Sequence, residues 1–397
     1  MLVVVGDVAF GGQFATNIDN AVIPPPFVEM EEKMTAVRPK LTRGFLPEQD
    51  PAVAFPADSE LSALDELGRD LPSLLQDRGF RRFAKALAIP PWPDHWDPVE
   101  QRSYLQLYYV RLGFLASAYV NQTSEDRATL LPNNIAAPLV HACRLLDRPP
   151  ILSYDGYALY NWKRFRRDGP VALGNIDTIQ NFVHLYDEHW FILVHVEIEH
   201  IAADIVSAIA TAEQAINNDD PQLLNVSLNT IAHAVWQQVK VLRRIPEKMD
   251  PQLYFKTFRP YIRYFQDVVY QGIDIKPMNQ RGETGAQSSI MPTLVAFMKI
   301  PHEPTSLINH LRDMRSYMPQ QHWVYINYVE GLPDIKPMAD KDSFNNILDA
   351  MATFREVHFH WANEYIYMPS KDQTGTGGTP YMQWLKQLID ETRRHQK

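Results

Sequence analysis

Near its C-terminal end the chain carries FREVHFHWANEYIYMP, with histidines at 358 and 360. On a helix Phe354, His358, Trp361, Ala362 and Tyr365 form one apolar stripe, while His360 falls among Glu356, Asn363, Glu364 and Tyr367. The spacing predicts that His358 faces the interior and His360 faces water. An interior imidazole needs partners for its ring nitrogens: an iron or zinc ion is one, a backbone carbonyl another. Spacing alone leaves both open. A second cluster, HVEIEH, runs from His195 to His200. Glu197 and His200 have the Glu-x-x-His spacing of a di-iron bundle, but a second copy is missing, so these two read as a solvated helix flank. His195 lies one turn after Phe191, at the border of an apolar stripe, and is a candidate pocket residue. A third pair, Phe255 and Arg259, stacks on one helix face and suits a ligand that is aromatic at one end and carboxylate at the other. Pro260 must kink or stop that helix at Arg259. RGETGAQSS (281–289) reads as a tight turn into a helix, and TGTGGTP (374–380) as a polar loop; neither has the spacing of a phosphate-binding motif.

The elements that must position these residues are helices. Asp97-Pro98, Asp220-Pro221 and Asp250-Pro251 each precede an amphipathic run, with Asp free to cap and Pro harmless in the first turn. Glu100 stands at N3 of the first, which runs to about residue 119. Residues 184–216 predict a long helix with a buried stripe of Phe191, Val194, Ile198, Ile201, Ile205 and Ile209, and residues 340–367 another. Residues 59–87 offer two short helices, with Leu61, Leu64, Leu67 and Leu71 on one face. The stretch 121–180 reads as an irregular join between two lobes. The expected class is mostly or entirely α.

Composition narrows the function classes. The 397 residues suffice for a full hydrophobic core in two lobes. A net charge of -9 lacks the basic footprint of a nucleic-acid binder. A single cysteine, Cys143, excludes a disulfide scaffold. No apolar run approaches the roughly 18 residues of a membrane span. MLVVVGDVAF has no basic residue before its apolar stretch, so a cytoplasmic location without a membrane partner is expected. The chain holds 18 Phe, 18 Tyr and 8 Trp, ample material for lining a flat ligand.

Taken together, PPILSYDGYALYNW (149–162), WFILVHVEIE (190–199), LYFKTFR (253–259), RGETGAQSS (281–289), DMRSYMP (313–319), REVHFHWANEYIYMP (355–369) and GTGGT (375–379) resemble the indoleamine 2,3-dioxygenase family in order and spacing over roughly residues 95–395. The resemblance implies an all-α fold, with a small N-terminal helical domain (1–130) and a large helical domain (131–397) holding haem b. It implies a dioxygenase that inserts O2 into the indole C2=C3 bond of L-tryptophan, or a related indoleamine, to give N-formylkynurenine. His358 would be the iron ligand and Arg355 the partner of a haem propionate; Thr284 and Gly285 would border the cofactor. Arg259 would hold the substrate carboxylate, and Phe255, Tyr154 and Phe191 would line its pocket. Thr376 would touch substrate from the closing loop.

The chain departs from the family pattern at several points. His195 stands where many animal members carry Ser and, as in the related tryptophan 2,3-dioxygenases, would contact the indole N–H as the catalytic residue. Glu283 puts a carboxylate near the haem edge, Tyr254 replaces a Phe, and Pro260 is unusual after the Arg. Lower or altered activity is expected before loss of haem. The implied partners are the indole substrate and an electron donor that the sequence does not identify, for a monomer or small homo-oligomer. Two other readings remain: a superfamily haem enzyme acting on a substituted tryptophan in secondary metabolism, and a haem-binding or sensor protein without catalysis.

Overall fold

The structure, a computed structural model, describes residues 39–371 and 380–397. Helices dominate it, as expected. A 3-10 turn (Glu60–Ser62) leads into α1 (Ala63–Leu74), and α2 (Phe80–Lys85) follows; Leu61, Leu64, Leu67 and Leu71 are all buried. Asp97 accepts the N–H groups of Val99 and Glu100, but this closes a separate turn, and α3 (Arg102–Val120) starts after it. The expected amphipathic run is in fact buried all round from Leu107 to Val120. A helix apolar on every face can only be central.

The stretch read as an irregular join holds β1 (Leu130–Leu131) and a full helix, α4 (Asn133–Leu145), whose internal Pro138 hid it from pattern reading. A π turn (Asp155–Leu159) and the antiparallel pair β2 (Trp162–Arg164) and β3 (Ile176–Thr178) complete it.

Next come α5 (Tyr186–Asn217) and α6 (Pro221–Leu242), then α7 (Pro251–Leu253) running into a π turn (Tyr254–Phe258). Strand β4 (Phe265–Tyr270) pairs parallel with β1 and antiparallel with β5 (Met278–Gln280). The remaining helices are α8 (Ile290–Met298), α9 (Ser306–Arg315), α10 (Gln320–Glu330), α11 (Lys341–Ala362), α12 (Met368–Ser370) and α13 (Tyr381–Arg394). Asp220 and Asp250 cap α6 and α7 as predicted, each side chain accepting first-turn N–H groups, and Asp340 caps α11 in the same way. A π turn (Asn363–Tyr367) interrupts the predicted 340–367 helix after Ala362. Among the described residues no helix is long and apolar enough to cross a membrane.

Two hydrophobic cores share α5. The first gathers α3, α4 and the turns around Leu152 and Phe182 against Ile192, Leu193 and Val196. The second gathers α6, α8, α10 and α11 against Trp190, Val194, Ile198, Ile205 and Ile209. The one-sided stripe expected on α5 is therefore two-sided. Phe191 and Ile201 leave it, being only partly buried, and Phe191 packs against both cores.

Gly44 docks the N-terminal part of the described chain onto this helix. Its φ is +65°, and a Cβ there would lie 2.4 Å from the Glu199 carbonyl oxygen and 2.7 Å from the Ala203 nitrogen. Both obstacles are backbone and cannot swing aside, so Gly44→Ala is expected to cost more than about 2 kcal/mol of unfolding free energy. Urea titration checks this; a loss within about 0.5 kcal/mol would mean that the segment docks otherwise.

Candidate active site

Helical periodicity puts Phe191, His195 and Glu199 on one ridge of α5, the seam between its two core faces. Around the ridge stands an aromatic cluster. The Phe191 ring lies 4.6 Å from His195, 5.5 Å from Tyr254 and 6.1 Å from Phe258. Tyr154 meets His195 edge to face at 5.9 Å. Tyr154 precedes the π turn, and the neighbouring Asp155 is anchored by a buried ion pair with Arg148.

His195 has a defined tautomer. Its Nδ1 lies 2.7 Å from the Phe191 carbonyl oxygen, which can only accept, so Nδ1 carries the proton. Burial lowers the ring's pKa, leaving it neutral, with the Nε2 lone pair available to accept.

His358 departs from its expectation of apolar packing. The ring is exposed, so it is not part of the core. Yet desolvation, helped by the nearby His195, pushes its pKa down to about 4. His360 is exposed as predicted and pairs with Glu364 at 3.3 Å. Gly285 is also exposed, and a Cβ there would meet nothing within 4 Å. It opens a 3-10 turn (Gly285–Gln287) preceded by Thr284, whose hydroxyl accepts the Ala286 N–H. Gly282 before it is held by close approach: its Cβ would fall 2.3 Å from the Ile262 carbonyl oxygen.

Arg259 is 2% exposed, with its guanidinium 5.1 Å from the centre of the Phe255 ring and bonded to the Tyr254 hydroxyl. The helix ends at Arg259, as Pro260 requires. Tyr254 in turn contacts Phe191 and Tyr365, which joins the arginine to the aromatic cluster. The departure from Phe at 254 thus supplies a hydroxyl to the buried guanidinium.

Arg355, which the resemblance places beside a haem propionate, also binds within the fold. It is buried, and its Nη1 donates to the Leu388 carbonyl and to the Thr392 hydroxyl, both on α13. Thr376 and the loop 375–379 lie outside the described residues. Glu197 accepts the Leu173 N–H at 2.8 Å, and His200 is partly buried, so neither is a freely solvated flank. Among the described residues no three His, Cys, Asp or Glu side chains come together to hold a metal ion.

Sequence reasoning gave no role to two buried carboxylates and stated only a position for a third. Glu188 accepts the N–H groups of Phe182 and Val183, and burial raises its pKa to about 8. Glu199 is fully buried and sits at about 7; Glu283 is raised to about 8 by burial. The signal for Glu199 was its place two turns after Phe191 and one turn after His195. Glu188 looked like an ordinary first-turn acid.

A profile of the family described as Indoleamine 2,3-dioxygenase matches residues 37–395. The chain belongs to that family. Indoleamine 2,3-dioxygenase 1 of Rattus norvegicus is 26% identical over 360 residues, covering 83% of this chain and 88% of its own length. A 6-hydroxytryptophan 2,3-dioxygenase of Fusarium equiseti is 24% identical, covering 91% of this chain and 98% of its own. A protein named myoglobin from Haliotis madaka is also 24% identical, covering 84% and 91%. Membership of the indoleamine 2,3-dioxygenase family thus extends across both cores.

Glu283 generates a prediction. A carboxyl whose folded pKa is raised contributes stability that is full below its unfolded value near 4.5 and is lost as pH rises through about 8. Between pH 5 and 8 the stability of Glu283→Gln is expected to fall less steeply than that of the parent, by up to roughly 4 kcal/mol. Urea unfolding at stepped pH measures the two slopes; equal slopes would contradict the burial of this carboxyl.

Proposed function

We propose that the chain is a haem-dependent dioxygenase that inserts O2 into the indole C2=C3 bond of L-tryptophan or a close indoleamine, giving N-formylkynurenine. The observation that supports this reading is the match to the indoleamine 2,3-dioxygenase family over residues 37–395, together with an exposed His358 whose imidazole lies close enough to His195 to feel its charge. The residues present fit a haem: a neutral imidazole at His358 could ligate its iron, and the open space at Gly285 would leave room for the edge of a flat group. His358 would hold the iron, and Thr284 and Gly285 would border the group. Bound haem supplies the redox-active iron that makes O2 reactive toward the indole.

The chain's own contribution is placement. Arg259, pre-positioned by Phe255 and Tyr254, binds the substrate carboxylate through charge-assisted hydrogen bonds. His195 accepts the indole N–H at Nε2, since its Nδ1 is spent on the Phe191 carbonyl. Phe191 and Tyr154 wall the ring and keep water out. Arg355 ties α13 to the helix that carries His358. No strong base is required, so holding the reactants in contact in a dry pocket is the main source of rate.

Two further readings have named relatives in their favour. The Fusarium protein supports a substituted tryptophan as substrate, and the Haliotis protein supports O2 binding without turnover. Ferrous protein mixed with O2 and either L-tryptophan or a hydroxylated tryptophan separates them from the proposed function: N-formylkynurenine supports the dioxygenase reading, product only from the hydroxylated tryptophan supports the substituted substrate, and an unchanged O2 complex supports carriage. His358→Ala is expected to lose the native Soret signature. Arg259→Ala is expected to weaken tryptophan binding by about 2–3 kcal/mol, measured by spectral titration; unchanged affinity would remove the carboxylate assignment. His195→Ala should cost about 1 kcal/mol with tryptophan and nothing with its N1-methyl derivative, which has no N–H to donate.

A further inference from the structure

We propose that Glu199 is a positioning residue whose carboxylate staples the His195 wall of the site to the loop at 282–288. The proposal rests on the reading of this region as the substrate and cofactor site. Glu199 Oε1 accepts the Tyr154 hydroxyl at 2.8 Å and the Ser288 hydroxyl at 2.6 Å, while Oε2 is buried and makes no hydrogen bond. Tyr154 is the residue whose ring edge meets His195. Its own N–H donates to Gln287 Oε1 at 2.8 Å, and Gln287 Nε2 donates to the Gly282 carbonyl at 3.0 Å. One oxygen thus joins α5, the residue leading into the first π turn and the Thr284–Ser288 segment, from positions 45 and 89 residues away in the chain.

Stability does not explain a carboxylate at this point. A fully buried carboxyl with two donors is under-solvated, and burial raises its pKa to about 7, a sign that ionising it here is unfavourable. Buried ionic groups often stabilise less than apolar residues of the same volume. What an apolar residue cannot do is fix two hydroxyls in direction. Glutamine can: it offers the same acceptor at Oε1, at the cost of an amide N–H2 where Oε2 now lacks a partner. Geometry and stability therefore part company between the two substitutions.

Hydrogen–deuterium exchange on the purified, haem-loaded full chain reads the geometry. The reporting amides are Tyr157 and Tyr160 in and after the π turn, and Gln287 and Ser288 in the loop, each bonded within its own segment. Glu199→Leu is expected to speed exchange about tenfold or more in both segments relative to the rest of the chain. Ser288→Ala is expected to do so in the loop alone, and Glu199→Gln in neither, even if it lowers the melting temperature. Tryptophan affinity should fall about tenfold in Glu199→Leu and be restored in Glu199→Gln. A uniform rise in exchange, or a glutamine variant that behaves like the leucine one, overturns the proposal. If Glu199→Leu does not fold, Ser288→Ala decides: loop exchange at the parental rate overturns it, and selective loosening upholds it. Should the parent bind no tryptophan, the dioxygenase reading fails while the exchange pattern still tests the staple.

Discussion

Burial of α5 on two sides is the constraint on which the rest of the site depends. A helix that serves two cores must present apolar residues over most of its surface, and Leu193 and Val196 face one core while Val194 and Ile198 face the other. What remains is a seam, and the seam carries Phe191, His195 and Glu199. Polar groups placed there lose much of their solvation. Their chemistry follows from that position. His195 is neutral with a defined tautomer, and Glu199 titrates near neutrality instead of near 4.5.

The same desolvation acts on the groups facing the seam. His358 reaches open space but keeps a low pKa, so its lone pair is available at neutral pH. Arg259 stays buried because Phe255 offers a ring face and Tyr254 a hydroxyl. Burying a guanidinium costs far more than it returns in fold stability unless its donors are matched. For Arg259, Phe255 and Tyr254 supply part of that matching. Glu188 and Glu283 extend this pattern of ionisable groups kept from water near one wall.

The helices were largely legible from local chemistry. Asp-Pro caps at 220 and 250 and the stripe on α1 depend on residues within one or two turns, and they appear as expected. Pro138 concealed α4, since a proline within a pattern reads as a break although the surrounding packing tolerates it. The amphipathic reading of α3 and the single stripe on α5 missed because periodicity registers one apolar face, and both helices are apolar on more than one.

At the site, residue types and their spacing along each helix were written in the chain: His358 against His360, Phe255 against Arg259, and His195 one turn after Phe191. Those relations are set by the rise and turn of a helix and need no distant partner. Tertiary structure alone decided where Arg355 places its Nη1, that His358 is exposed instead of packing in a core, and that Glu199 meets Tyr154 and Ser288. These outcomes depend on desolvation and on contacts between segments far apart in the chain. Both are properties of the assembled interior, which no window of local sequence contains.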